Sequence, residues 1–206
     1  MALPTQQEIG YALAHAGNYR VVRAQQVAGE GPPDGISGAL LLSLGLRETW
    51  LNNIQGGAKP DGHGGWVTLG PEDYAIMDVG WLQISRKYHL AALQKMPAVK
   101  NGTWGPVVPV HTPAEYGYVT RFTDALLFTL NELHESTAYA QDHGIDGAEA
   151  IRFAVVAHTA GLGGALKGHQ EGDPDKYTAL GDYSEWVLAA RTEVNRWLIA
   201  HPNWIA

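Results

Sequence analysis

Gly38-Ala39-Leu40-Leu41-Leu42-Ser43-Leu44-Gly45-Leu46-Arg47-Glu48-Thr49-Trp50-Leu51-Asn52-Asn53 is the stretch on which the fold turns. Ser37 precedes it in the position of an N-cap. Apolar residues then recur at helical spacing, with Leu40, Leu41, Leu44 and Glu48 on one face. A helix from Gly38 to about Trp50, ending near Asn52 or Asn53, is the expectation. Its apolar-rich run, Gly38 to Leu46, is too short to cross a bilayer, so the helix belongs to a protein core. Glu48 continues the buried face and leaves the core near the helix C-terminus. Desolvation and the negative end of the helix dipole both disfavour a carboxylate there, raising its pKa as a general acid at neutral pH requires. Arg47 points to another face.

Upstream, Thr5-Gln6-Gln7-Glu8 has the form of a capping box, with Ile9, Ala12, Leu13 and Ala16 following at helical spacing. Gly29 to Gly35 is dense in turn formers. Downstream, Gln55 to Gly80 changes to Gly, Asp and aromatic residues. No helical period survives there, and Trp66-Val67-Thr68-Leu69 has the character of a short strand. Thr112-Pro113-Ala114-Glu115 is a further capping box, predicting a long helix with Val119, Phe122, Leu126, Leu130 and Leu133 on one face. Asp146 is placed to cap a helix through Ile151, Phe153 and Val156, and a last helix carries Val187, Ala190, Val194 and Trp197. The expected class is α+β, mostly α: one domain over residues 1–206 with a loop-rich, partly β lobe at about 55–80.

The 206 residues, 45% hydrophobic, suffice for one well-buried domain and not for two large ones. With no cysteine, a disulfide framework, a thiolate metal site and a cysteine nucleophile are all excluded. The formal charge of −7 argues against a nucleic-acid partner and supplies no attraction toward an anionic wall. Met1 to Ala16 lacks a basic n-region with a long apolar core, and no apolar run reaches membrane length, so neither a signal peptide nor a membrane partner is expected.

A second carboxylate follows Glu48 in Asp78-Val79-Gly80-Trp81-Leu82-Gln83-Ile84-Ser85, just before a glycine turn. A raised-pKa acid facing a solvated carboxylate across a cleft is what glycoside hydrolysis needs, for protonating the leaving group and for stabilising or attacking the cationic sugar. Asp61, Glu72 and Asp73 compete with Asp78 for that role. Gln83, an amide inside an apolar stretch, requires partners: backbone groups or a substrate N-acetyl group. Trp66, Tyr74 and Trp81 are candidate cleft rings, though tryptophans in a Gly-rich lobe also serve as its core. The nine histidines include Asp61-Gly62-His63, His89, His111 and His158, whose spacing matches no zinc site, and His134-Glu135 lacks the second His of a zinc-protease helix. No metal and no other cofactor is expected. Gly62, Gly64 and Gly65 are not followed by the Lys-Ser/Thr of a phosphate loop.

The chain resembles the lysozyme superfamily. Leu41 to Asn53 is similar to the helix that ends in the catalytic Glu of goose-type lysozymes and soluble lytic transglycosylases. Asp78 to Ser85 resembles the D-x-G-x-x-Q-I-[NS] signature of chicken-type lysozymes, whose Asp is their second carboxylate. Arg86-Lys87-Tyr88-His89 is similar to the K-R-x-H of goose-type enzymes, and Ala157-His158-Thr159-Ala160-Gly161 to their A-Y-N-A-G. Asp182-Tyr183 with Val187 and Ala190-Arg191 resembles their closing D-Y-x-x-x-V-x-A-R helix, with one extra residue. The resemblance runs from about Gly38 to Trp197. Three features depart from it: a longer interval between Glu48 and Asp78, Ser85 where goose-type enzymes place Asp, and His158 in place of Tyr.

The resemblance implies a lysozyme-like fold and a muramidase that cuts the β-1,4 bond between N-acetylmuramic acid and N-acetylglucosamine. Glu48 would be the acid and Asp78 would face the sugar cation. Gln83, Trp81, Trp66, Tyr74, Ser85 and His158 would contact bacterial peptidoglycan. A lytic transglycosylase at the same bond, a metal-dependent wall amidase or peptidase, and a non-catalytic wall-binding or phage structural module are the alternatives. The implied setting is that of a phage endolysin, made in the host cytoplasm and acting on the cell wall.

Overall fold

The computed structural model describes residues 2–29, 35–52, 55–56, 58–63, 66–69, 73, 76–93, 98–100, 118–120 and 122–202. The chain is mostly helical with small antiparallel sheets. Helix α1 (Gln6–Ala16) begins at the expected capping box: Thr5 Oγ1 accepts from Glu8 N at 3.2 Å, and Glu8 Oε2 accepts from Thr5 N at 2.8 Å. A second helix, α2 (Asn18–Ala28), follows at once. Its polar composition, with only Val21 and Ala24 fully buried, gave no strong apolar period to read.

Helix α3 (Gly38–Thr49) is the centre of the core. Ser37 caps it, its Oγ accepting from Leu40 N at 3.3 Å. Leu40, Leu41, Leu42, Leu44 and Leu46 are all fully buried, so the helix is apolar all round rather than along a stripe. Each such leucine contributes about 1.5–3 kcal/mol of burial. It packs chiefly against α7 (Tyr183–Ala200) and α2.

The segment after α3 forms strands β1 (Gln55–Gly56), β2 (Ala58–Pro60), β3 (Trp66–Thr68), β4 (Asp78–Val79) and β5 (Ile84–Ser85). β1, β4 and β5 make one antiparallel sheet in that order, while β2 pairs with β3, as the strand character of Trp66 to Thr68 predicts. Helix α4 (Arg86–Leu93) continues directly from β5. A further hairpin joins β6 (Ala98–Lys100) to β7 (Tyr118–Thr120), pairing Val99 with Val119. Val119 is therefore a strand residue, which corrects its expected place on a long helix. Thr112 to Glu115, the expected start of that helix, lie outside the described residues. The helix itself, α5 (Phe122–Asp142), begins three residues past Val119 and buries Phe122, Leu126, Leu130 and Leu133 as expected.

Helix α6 (Gly147–Gln170) has Asp146 at its N-cap, although without a side-chain capping bond, and bends at Gly161, whose φ of 68° and ψ of 167° break the helix. α5 and α6 pack along each other, and their far ends enclose a small second cluster around Ile145, Phe153 and Val156. Among the described residues no helix is long and apolar enough to cross a membrane.

Trp81 sits between these layers. It is fully buried, stacked on Phe122 with ring centroids 4.3 Å apart, and its Nε1 donates to Phe122 O at 3.4 Å. The ring lies against Gly45 of α3. A Cβ added there would stand 2.7 Å from Leu51 Cδ2 and nearer still to the Trp81 ring. Gly45→Ala is therefore expected to destabilise the chain by about 1–3 kcal/mol through overpacking, read as a lower urea midpoint at unchanged m-value.

Candidate active site

α3 leaves the core at its last turn, and its polar groups there are satisfied by residues far away in sequence. Arg47 Nη2 meets Asp182 Oδ1 at 2.5 Å, and its guanidinium lies 5.6 Å from the Tyr183 ring centroid and 5.1 Å from that of Trp186. Tyr183 Oη donates to Glu48 Oε1. Thr49 Oγ1 donates to Trp81 O at 2.9 Å, fastening the helix end to the turn between β4 and β5. Trp50 and Leu51 then take left-handed backbone conformations, and Leu51 N donates to Gly45 O at 3.0 Å. Gln83, in the turn bonded to Thr49, is also left-handed at φ 49°. Three strained non-glycine residues thus meet at one junction, which is where structures concentrate strain when a site has to be held in place.

Glu48 and Asp78 both open onto a cleft of ≈ 760 Å³. Asp78 is held on β4 opposite Ser85 of β5, and the Ser85 side chain hydrogen-bonds it. Burial raises the Glu48 carboxyl from 4.5 to about 7, against the opposing effects of the Tyr183 hydrogen bond and the Arg47 charge. Burial also lifts Asp78 from 3.8 to about 6, with Ser85 opposing and the Glu48 charge adding to the rise. Helix-end burial is thus the main cause at Glu48, as the sequence suggests. Glu48 therefore keeps its proton to higher pH than Asp78, being about half protonated at neutral pH, where Asp78 is mostly ionised.

Of the competing carboxylates, Asp61 is exposed at a turn, its Oδ1 accepting from His63 N at 2.7 Å, and Asp73 is half-buried; neither contributes to the described cleft wall. Glu72 lies outside the described residues. Gln83 lines the cleft, and its Nε2 donates to Gly80 O at 2.7 Å, so its amide nitrogen is satisfied by its own turn. Trp81 is a correction: full burial against Phe122 makes it core, with no face toward the cleft. Tyr74 and the Trp66 side chain lie outside the described residues.

His158 lines the cleft from α6 with its side chain only 5% exposed, its Nε2 placed 3.1 Å from Leu82 O. Its ring thus ties α6 to the turn between β4 and β5. The cleft is also lined by Glu132 and Ser136 of α5, which the sequence did not single out, together with Glu135 of α5 and with Lys87 and Tyr88 beside His89 on α4. Glu132 Oε1 lies 3.1 Å from His89 Nε2, which sits at the kink of α4. Its position one residue before the buried Leu133 was the available signal. Among the described residues no three His, Asp or Glu side chains are arranged to hold a metal ion.

No family model, no curated protein and no solved structure matches this chain. The chemistry of the cleft therefore has to be read from its own residues.

The folded chain binds the Glu48 proton more tightly than the unfolded chain does. The stability this group contributes is complete below about pH 4.5 and is lost as pH rises through about 7. Glu48→Gln, which keeps an acceptor for Tyr183, is expected to gain on the order of 3 kcal/mol relative to wild type between pH 4 and pH 8. Urea titrations at the two pH values measure this, and a pH-independent difference would contradict a buried, raised carboxyl.

Proposed function

We propose that this chain is a lysozyme-like muramidase that cleaves the β-1,4 bond between N-acetylmuramic acid and N-acetylglucosamine in bacterial peptidoglycan. The observation that carries this reading is the pairing of two carboxyls in one cleft, Glu48 with a pKa of about 7 and Asp78 with one of about 6. Two such groups with separated affinities divide the labour of glycoside hydrolysis.

In this mechanism Glu48, protonated near neutrality, gives its proton to the glycosidic oxygen. The departing sugar takes that proton, Glu48 becomes the carboxylate, and the Tyr183 hydroxyl and Arg47 charge stabilise the anion that forms. Asp78, ionised, faces the positive charge that develops at the anomeric carbon, and Ser85 orients it. Either water or the muramoyl 6-hydroxyl then adds to that carbon and gives its proton to the Glu48 carboxylate, which restores the acid. Addition of water yields a reducing end, and addition of the hydroxyl yields a 1,6-anhydro end, the lytic transglycosylase outcome. The order of the matching segments along the chain, from the α3 Glu through Asp78-x-Gly-x-x-Gln to Asp182-Tyr183, also supports a lysozyme-like fold. A phage endolysin is the setting this reading favours.

Glu48→Gln is expected to lower peptidoglycan cleavage by about 10²–10⁴-fold, the usual range for a lost general acid. Asp78→Asn should cost about 10²-fold through lost electrostatic stabilisation. Turbidity clearing of purified cell walls measures both, and Glu48→Gln clearing them at the wild-type rate would remove the assignment. Mass spectrometry of the products distinguishes reducing from 1,6-anhydro ends.

The rate should follow a bell in pH with its maximum between about 6 and about 7. It falls below that window as Asp78 takes a proton and above it as Glu48 loses one. In Tyr183→Phe, which removes the hydrogen bond favouring the Glu48 carboxylate, the alkaline limb should move to higher pH.

A further inference from the structure

The wall of the cleft on α5 carries a second arrangement that the cleavage mechanism does not use. Glu132 stands between two histidines: one carboxylate oxygen is 3.1 Å from His89 Nε2 and the other 3.9 Å from His158 Nδ1. The orientation of His158 is set on its far side. Its Nε2 faces the carbonyl of Leu82, which can only accept, so Nε2 carries the proton and Nδ1 of the neutral ring is a bare acceptor. That Nδ1 makes no hydrogen bond, although the side chain is only 5% exposed. Burial lowers the proton affinity of this histidine, which keeps the ring neutral.

Two acceptors, His158 Nδ1 and Glu132 Oε2, therefore face each other across 3.9 Å, too far for a direct hydrogen bond and with no proton assigned between them. A group with two or more protons beside both atoms satisfies them together. Placed about 2.8 Å from each, it would span them at an angle of about 90°, within reach of a tetrahedral donor. Charge selects among such donors. Burial is the chief cause that raises the proton affinity of Glu132, with His158 opposing; Glu135, one turn along α5, adds to the rise through its charge, so the two carboxylates repel. Both line the cleft with Glu48 and Asp78, against the single lysine Lys87 among its described residues. A cation relieves that repulsion, whereas a hydroxyl or an amide does not.

We propose that Glu132, Glu135 and His158 form an ammonium-binding subsite, which holds a free amino group of the substrate while Glu48 and Asp78 act on the glycosidic bond. The amine belongs either to a sugar that lacks its N-acetyl group or to the diamino acid of a peptide stem. The subsite rests on the glycan-cleaving reading for the identity of the molecule that carries the amine, and on the geometry of the wall for the amine itself.

Isothermal titration of the full chain, at a pH where the amines are protonated, tests it with two matched pairs of ligands. The first pair is the β-1,4-linked glucosamine tetramer and its fully N-acetylated counterpart. The second is the tripeptide Nα-acetyl-Ala-γ-Glu-Lys and its ε-N-acetyl form, so that the Lys side chain carries the one amine that differs. In one pair the free amine should bind about tenfold tighter or more, the worth of one charge-assisted hydrogen bond, and the pair that shows it identifies the source. The preference should fall toward unity in Glu132→Gln and weaken in Glu135→Gln, an exposed position where folding is not at risk. If Glu132→Gln does not fold, Glu135→Gln decides: a reduced preference supports the subsite and an unchanged one removes it.

Equal binding within both pairs, or a preference that survives Glu132→Gln, overturns the proposal and leaves Glu132 as a link between α4 and α6. A chain that keeps the amine preference but does not cut peptidoglycan removes the muramidase reading alone. A chain that cuts peptidoglycan without any amine preference removes the subsite alone.

Discussion

Burial of α3 on every side governs the rest of the molecule. A helix of leucines enclosed by α2, α7 and Trp81 has one end where polar groups meet the core, and its C-terminal turn carries Arg47, Glu48 and Thr49. Carbonyls and charges at a helix end cannot be left without partners in a low-dielectric surrounding. Asp182, Tyr183 and Trp81 O supply those partners from other elements. The same contacts that complete the helix end also fix Glu48, while burial raises its carboxyl to about 7 against the Tyr183 hydrogen bond and the Arg47 charge.

From this junction the cleft is assembled by short links. Thr49 bonds the turn at Trp81, and His158 bonds the same turn at Leu82, so α3 and α6 both hold the segment that carries Asp78, Gln83 and Ser85. Trp81, under that turn, is packed between Gly45 and Phe122 and gives it a rigid base. Short strands such as β4 and β5 have little stability alone. Their precision derives from these side-chain-to-backbone bonds and from the buried ring.

The two walls of the cleft differ in kind. On the α3 and β4 side, carboxyls are held by donors that stabilise charge, namely Tyr183, Arg47 and Ser85. On the α5 side, Glu132 faces His89 and His158, whose proton affinity burial lowers, and Glu135 lies one turn away. A donor-rich wall suits groups that must change charge during a reaction, and an acceptor-rich wall suits a cation that stays charged throughout.

The sequence by itself determined the helices with strong local signals: the Thr5 capping box, Ser37 before an unbroken apolar run, and the periods that end in Leu133 and Trp197. It also marked Glu48, because a carboxylate that ends a buried helix is visible from spacing alone, and Asp78, because of the glycine turn that follows. It misplaced Val119, whose helical spacing to Phe122 was coincidental beside its pairing with Val99, and it offered Trp81 as a cleft ring when shape fit against Gly45 makes it core. Only the tertiary structure could bring Tyr183 to Glu48 across 135 residues, or place Glu132 between His89 and His158. Local sequence encodes periodicity and caps, whereas the partner of a buried charge is chosen by packing between elements distant in the chain.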